Sequence, residues 1–249
     1  MKNKSTKDFT KVKPYNQEEE KTVQLARMFN TISDKYDKFN DIMSWGMARV
    51  WRKHSLLELK KYNPKQILDI AAGTADMCIK SYRYLNPDHV TGVDISDKML
   101  EIGRIKVSNV NLEDKIDLQV QDCSTLTFAD ESFDAATIAF GIRNFEKLNE
   151  SIQQIHRVLK PDGHLLILEM NEPSKGLLLK GYQFYTRIFV RLTAKYLSSD
   201  KIAYDYLTAS MHAFPNGEKL IEILKTNGFK LKIYKKFTFG VCSMYLVQK

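Results

Sequence analysis

The chain has 249 residues, a net charge of +8, three cysteines and five histidines, a length that suits one α/β domain with a short appendage at most. Cys78, Cys123 and Cys242 are odd in number and widely spaced, and no histidine pairs with them at metal-ligand spacing. A disulfide scaffold and a metal centre are therefore not expected, and the pattern reads as a reduced, cytoplasmic, metal-free protein. The basic N-terminus lacks an apolar h-region and no apolar run is long enough to span a bilayer, so neither an exported nor a transmembrane protein is expected.

Residues 1–21 read as a tail rich in Lys and Glu with little to bury, and are expected to be disordered. From Thr22 to about Lys61 the pattern is helical, with Met28, Phe29, Ile32, Tyr36 and Phe39 at three- and four-residue spacing and a second helix from about Met47. Asn63-Pro64 ends this segment, which is expected to cover a pocket as a helical lid over 22–62. Strand-like runs then alternate with helical ones: Gln66 to Ala71, His89 to Ile95, Ile116 to Val120, Phe133 to Phe140 and His164 to Glu169. Such alternation predicts an α/β, doubly wound, mostly parallel sheet covered on both faces. Pro161-Asp162-Gly163 is turn chemistry before the fifth strand. Residues 174–215 read as a helical insert, and Phe229 to Lys235 and Val241 to Val247 as an antiparallel pair closing the sheet within a single domain over 22–249.

Two acid-ended strands carry the functional signal. LDIAAGTAD, Leu68 to Asp76, reads as a buried strand running into a Gly73-Thr74 turn, and TGVDISDKML as a strand ending at Asp94. Gly73 permits close backbone approach and Asp94 offers two carboxylate oxygens to a pair of ribose hydroxyls. A dinucleotide site normally carries three glycines to cradle its pyrophosphate. One is present here, so a nucleoside ligand without phosphates fits better. The competing reading makes Asp94 a helix N-terminal residue, with Ser96 as the cap.

The positive charge is concentrated. Lys175, Lys180, Arg187, Arg191, Lys195 and Lys201 stand against one acid, Asp200, so this stretch alone carries +5. Between Leu177 and Leu197 aromatic and basic residues fall on separate helical stripes, the pattern of a membrane-surface helix and equally of an ordinary lid helix. A nucleic-acid platform would interleave them instead, and no nucleic-acid partner is expected.

YDKFNDIMSWGMARVWR (Tyr36 to Arg52), LDIAAGTAD, DCSTLTFADESFDAATIAFGIRN (Asp122 to Asn144), RVLKPDGHLLILE (Arg157 to Glu169) and YDYLTASMHAFP (Tyr204 to Pro215) together resemble the ubiquinone/menaquinone biosynthesis C-methyltransferases within the class I S-adenosylmethionine-dependent methyltransferases. The resemblance implies a Rossmann-like seven-stranded sheet, S-adenosylmethionine as cofactor and a prenylated quinol, demethylmenaquinol or its benzoquinol counterpart, as methyl acceptor at a ring carbon. It places Asp69, Gly73 and Thr74 at the methionine end of the cofactor, Asp94 at the ribose, and Asp122 with the Cys123 backbone at the adenine. Cys123 is read as a small wall residue and not as a nucleophile.

Arg143 and Asn144, after the fourth strand, would face the transferred methyl. A ring carbon gains nucleophilicity as its hydroxyl loses a proton, and a guanidinium stabilises the phenolate. Arg143 is thus expected as an electrostatic partner and Asn144 as an orienting donor. Pairing of Arg143 with a structural acid such as Glu169 is the alternative. Tyr36 is a contact for cofactor or substrate, or else a core aromatic; His212 is the histidine best placed for proton transfer, or else a packing residue. Three positions depart from the family pattern: Ala75 and Ala139 stand where a glycine and, in some relatives, a serine are usual, and Asp162 replaces a turn glycine. Ala75 is expected to narrow the room near the cofactor tail. Because the implied acceptor carries a polyprenyl tail, 177–197 is expected to touch the membrane surface. The rival readings are a methyltransferase acting on another small molecule, a basic nucleic-acid binding protein and a cofactor-binding protein without activity.

Overall fold

The computed structural model describes residues 9–171, 181 and 201–249. The strands are β1 (Gln66–Ile70), β2 (His89–Asp94), β3 (Ile116–Val120), β4 (Phe133–Ala139), β5 (Leu159–Met170), β6 (Lys230–Phe237) and β7 (Cys242–Gln248), joined in the order β3-β2-β1-β4-β5-β7-β6. The first five pair in parallel, and β7 runs antiparallel to both β5 and β6. The strand order reverses between β1 and β4, which opens a crevice at their carboxyl ends, where open α/β sheets bind ligands.

Period-two alternation divides the core. On β1, Leu68 and Ile70 join a buried cluster with Ile152 and Ile155, while Ile67 joins a second cluster with Trp51, Leu56, Cys78 and Leu100. The first cluster is covered by α5 (Leu148–Val158) and α7 (Glu218–Thr226). Leu148, Ser151, Ile152, Ile155 and Val158 are the buried residues of α5, a helical stripe read directly from the sequence. The second cluster is covered by α2 (Met47–Leu59), α3 (Asp76–Leu85) and α4 (Asp97–Ser108).

The long helix α1 (Lys21–Met43) lies outside these layers. With α6 (Lys201–Ala213) it buries a small cluster of Leu25, Met28, Ile32, Met99, Ala203 and Tyr206. No side chain at its own start caps it; the Glu146 carboxylate accepts from the Thr22 backbone N–H at 2.9 Å and from the Thr22 hydroxyl at 3.1 Å. Further along, Asn30 Oδ1 accepts from the Ser96 hydroxyl at 2.7 Å at the start of α4. The helix therefore reaches across the crevice from the loop before α5 to the N-terminus of α4.

Two expectations are corrected. Residues 9–20 are not a disordered tail: Phe9–Lys11 forms a 3₁₀ turn, Phe9 packs edge-on against Phe214 with ring centroids 5.3 Å apart, and the Tyr15 and Asn16 N–H groups donate to Gln24 Oε1. The aromatic side chain gives this polar segment something to bury. The fifth strand also starts earlier than His164, at Leu159, because the Pro161-Asp162-Gly163 turn is absorbed as an irregularity: Phe133 pairs with Leu159 and Ala135 with His164. Most of the basic stretch at 177–197 lies outside the described residues.

Candidate functional site

A cleft of about 1050 Å³, counted with its solvent-open mouth, follows the carboxyl ends of β1, β2 and β4 beneath α1. Asp94 is part of its wall. Its Oδ2 accepts from Gly73 N at 2.8 Å and its Oδ1 from Ser96 N at 2.9 Å, so two backbone donors fix the carboxylate while its remaining lone pairs are available to the cleft. Burial pushes the Asp94 carboxyl up, with those backbone donors opposing it. Ser96 caps α4 through its own hydroxyl, which accepts from Met99 N. The two readings of Asp94 are thus not exclusive: Ser96 takes the cap and Asp94 is held beside the glycine turn, whose Gly73 has φ +54°.

At one end of the cleft Asp122, Cys123 and Ser124 form its wall. Asp122 Oδ1 accepts from Ser124 N at 2.7 Å, closing a 3₁₀ turn over Cys123–Thr125. Cys123 is buried, its thiol contacts the Ser151 carbonyl, and burial together with Asp122 raises its pKa, which is the state of a wall residue and not of a nucleophile.

At the other end lie Gly73, Thr74, Asp37, Asp76 and Arg52. Thr74 does not keep a free hydroxyl for a ligand: it donates to Asp37 Oδ1 at 2.7 Å and accepts from Lys106 Nζ at 2.9 Å. Lys106 also reaches Asp37 at 2.5 Å and Asp76 at 2.8 Å, which ties α1 to the glycine turn. Burial works against ionisation of Asp76, but Lys106 and Arg52 hold its carboxyl below the usual range. Asp69, expected at the cofactor, lies beneath the cleft wall: it accepts from the Thr137 hydroxyl at 2.6 Å and the Cys78 thiol at 3.1 Å, and burial pushes it up to about 6. Ala75 does not narrow the cleft; it is fully buried in left-handed backbone (φ +62°) near Gly103 of α4. Ala139 does line the cleft.

A second, mainly apolar cavity of about 1210 Å³ adjoins the first. Its walls include Phe39, Met43, Met47, Trp51, Met170 and Met211. Tyr36, Arg52 and Phe140 line both cavities. Burial raises the Tyr36 phenol, against the opposing pull of Arg143. Arg143 lines the apolar cavity and Asn144 the cleft, as their place after β4 predicts. Yet Arg143 is also ion-paired, its Nη1 lying 2.5 Å from Glu169 Oε1 and 2.7 Å from the Phe140 carbonyl. The structural alternative for Arg143 is therefore present together with its place at the cavity. Its Nε is buried and without a partner among the described residues, a donor that a ligand oxygen would satisfy. Asn144 Oδ1 accepts from the Tyr206 hydroxyl at 3.1 Å, which directs the amide's donor end elsewhere. His212 lines neither cavity.

Sequence reasoning missed Arg52 and Tyr206. Arg52 was legible: α2 buries Ala48, Trp51, Ser55, Leu56 and Leu59, and Arg52 falls at helical spacing within that stripe, where a charge needs a reason. Tyr206 gave no such signal, because an aromatic on a helix is ordinarily core.

A seven-stranded sheet of this order, with its antiparallel β7 and a cleft over β1, β2 and β4, is the architecture of the class I S-adenosylmethionine-dependent methyltransferases. Solved structures share it at low identity: a SAM-dependent methyltransferase from Aquifex aeolicus (TM-score 0.57, 14% identity, 78% of this chain and 88% of that one) and the [4+2]-cyclase SpnF (TM-score 0.67, 14% identity, 92% and 96%). The second shows that the fold alone does not fix the chemistry. The chain belongs to the ubiE/COQ5 methyltransferase family, whose profile matches residues 15–249. It is 40% identical over 239 residues to a demethylmenaquinone methyltransferase of Bacteroides fragilis, covering 96% of this chain and 98% of that one. It is 35% identical over 229 residues to the ubiquinone/menaquinone biosynthesis C-methyltransferase UbiE of Pseudomonas putida, covering 92% and 90%.

Proposed function

We propose that this chain transfers a methyl group from S-adenosylmethionine to a ring carbon of demethylmenaquinol, giving menaquinol, S-adenosylhomocysteine and the proton displaced from that ring carbon. The observation that carries the reading is the meeting of a cleft of mixed polar and apolar lining and a mainly apolar cavity at Tyr36, Arg52 and Phe140. A methyl donor and a greasy acceptor held in such neighbouring spaces are brought to one reaction point, and alignment of this kind supplies much of the rate. Orphaned donors and the Asp94 carboxylate fit the groups each ligand would bring. The relatives named for menaquinone synthesis support the acceptor.

S-adenosylmethionine supplies an activated methyl group when bound. The rest falls to side chains. Asp94 is the ribose acceptor, Asp122 and the Cys123 backbone hold the adenine, and Gly73 and Thr74 shape the wall at the methionine end. The buried Glu169 neutralises much of the long-range field of Arg143, so Arg143 acts through a directed hydrogen bond to the ionising ring oxygen more than through bulk positive charge. Asn144, its oxygen held by Tyr206, presents its donor end to the reacting centre. Tyr36, at the junction, packs against both ligands.

The acceptor's tail leaves through the mouth of the apolar cavity and the protein works at the surface of a membrane. Trp45, which lines that cavity, is 76% exposed, and Phe239, next to the cavity residue Thr238, is 81% exposed. Exposed aromatics beside a cavity rim suit the polar boundary of a bilayer. Among the described residues no helix is long and apolar enough to cross one.

Transfer of labelled methyl from S-adenosylmethionine to chemically reduced demethylmenaquinone in detergent micelles tests the reading, with Arg143→Ala alongside. Transfer by the native chain and a loss of at least 100-fold in the variant are expected, the size of a missing oxyanion-type donor. Absence of transfer despite cofactor binding would remove the quinol as acceptor.

A further inference from the structure

We propose that Arg52 binds the carboxylate of the cofactor's amino-acid end, an assignment that rests on S-adenosylmethionine being the ligand of the cleft. The side chain is nearly buried, with 11% of its surface exposed. Its Nε is wholly buried and has no partner, and its guanidinium makes no hydrogen bond among the described residues. Buried donors are almost always satisfied, so an open one at a ligand cleft marks the place of a missing acceptor.

Two contacts position the group without consuming its donors. The guanidinium carbon stands 5.0 Å from the centre of the Phe140 ring, an arrangement that orients the plane. Asp76 Oδ2 lies 3.9 Å from Nη1, close enough to attract and too far to hydrogen-bond. What remains is a planar, permanently charged fork, the group that suits a carboxylate.

The cleft offers no competing cation at that end. Its basic lining residues among those described are Arg52 and Lys147. Lys147 precedes α5, whose Ser151 carbonyl takes the Cys123 thiol, and so belongs to the Asp122 end. Lys106, behind Thr74, is already engaged by Asp37 and Asp76. Those two acids share the wall with Arg52, so this stretch presents both signs of charge and matches a zwitterionic amino acid. The phenolate of an acceptor is the other anion within reach of a residue that lines both cavities. Proximity to Thr74 and Asp76 at the glycine turn favours the carboxylate, and Arg143 already serves the acceptor's cavity.

Calorimetric titration of S-adenosylmethionine and of decarboxylated S-adenosylmethionine into the native chain, Arg52→Gln and Arg52→Lys tests this without reliance on turnover. The two ligands share nucleoside, sulfonium and amine and differ in the carboxylate alone. Native protein should bind the complete ligand about 10- to 100-fold more tightly than the decarboxylated one, the range for a hydrogen-bonded charge pair. Arg52→Gln should weaken the complete ligand by that factor and leave the other within about twofold, and Arg52→Lys should fall between, since it keeps the charge and loses the fork. Equal weakening of both ligands, or none, overturns the assignment. Should Arg52→Gln fail to fold, native protein with equal affinity for the two ligands overturns it as well. Failure of the native chain to bind either ligand would instead sink the cofactor reading on which this one stands.

Discussion

Arg143 Nη1 and Glu169 Oε1 lie 2.5 Å apart, joining the turn after β4 to the end of β5 with both side chains buried. Glu169 also accepts from the backbone N–H groups of Arg143 and Met170, so this carboxylate sets the shape of the turn as well as the place of the guanidinium. Removing one member of such a buried pair strands the other. Glu169→Ala is expected to destabilise the fold by about 3–5 kcal/mol, measured by urea unfolding. Loss of less than about 1 kcal/mol would show that the pair is solvated in solution.

Gly141 precedes that turn and meets the first loop. A Cβ placed on it would stand 2.4 Å from the Ala71 Cβ, and Ala71 is already in left-handed backbone with φ +56°. Neither side can yield without moving the loop that walls the cleft. Gly141→Ala should therefore destabilise by about 1–3 kcal/mol, the range for overpacking, and weaken S-adenosylhomocysteine binding in calorimetry. Unchanged affinity would mean that the loop moves as a unit.

Asp69 carries a signature in pH. Its carboxyl is pushed up to about 6 by burial, above the value of about 3.9 expected for the unfolded chain. Between those values the folded state holds more protons, so the contribution of Asp69 to stability is fully present below about pH 4 and is lost as pH rises through 6. The loss is on the order of 3 kcal/mol. Other carboxylates, Asp134 and Glu146 among them, are held low and work in the opposite sense. The difference between native and Asp69→Asn isolates the effect. Asp69→Asn should gain on the native protein as pH is raised from 4.5 to 6.5 in unfolding titrations, and a parallel pair of curves would refute the shift.

The chain contains two tryptophans, Trp45 exposed and Trp51 buried at 3%. Trp51 is further fixed by donation of its ring N–H to the Thr238 hydroxyl at 3.0 Å. A change in emission on adding vesicles therefore reports Trp45. Vesicles of phosphatidylcholine with phosphatidylglycerol should shift emission to the blue, and Phe239→Ser should weaken that shift by at least threefold in lipid concentration. Emission unchanged at saturating lipid would exclude this face as the membrane contact.

Strands and sheet direction were legible because β1, β2 and β4 are short runs, mostly buried, that alternate with helical stretches along the chain; the alternation read into the last strand is not what the structure shows, since β7 is buried from Cys242 to Val247. Asp94, Asp122, Arg143 and Asn144 were legible as residues that end strands or follow them, where an open sheet exposes its functional groups. What the sequence concealed is pairing. Nothing local indicates that Thr74 will be taken by Asp37 and Lys106 from two different helices, or that Asp69 will turn away to Thr137 and Cys78. Asp69 shares a parity with Ile67, and the face that parity selects is set by the sheet as a whole. The order of residues 9–20 was hidden for a similar reason, since a single Phe9 has worth only once Phe214 is known to be its neighbour.

Helix α1 contributes Leu25, Phe29 and Asp37 to the cleft, Phe39 and Met43 to the apolar cavity, and Tyr36 to both. One helix thus forms a wall common to both spaces. The contacts that hold its N-terminal half in place are Thr22 on Glu146 and Asn30 on Ser96. Because the same helix lines both spaces, a tilt of α1 that widened the cleft would also change the shape of the apolar cavity.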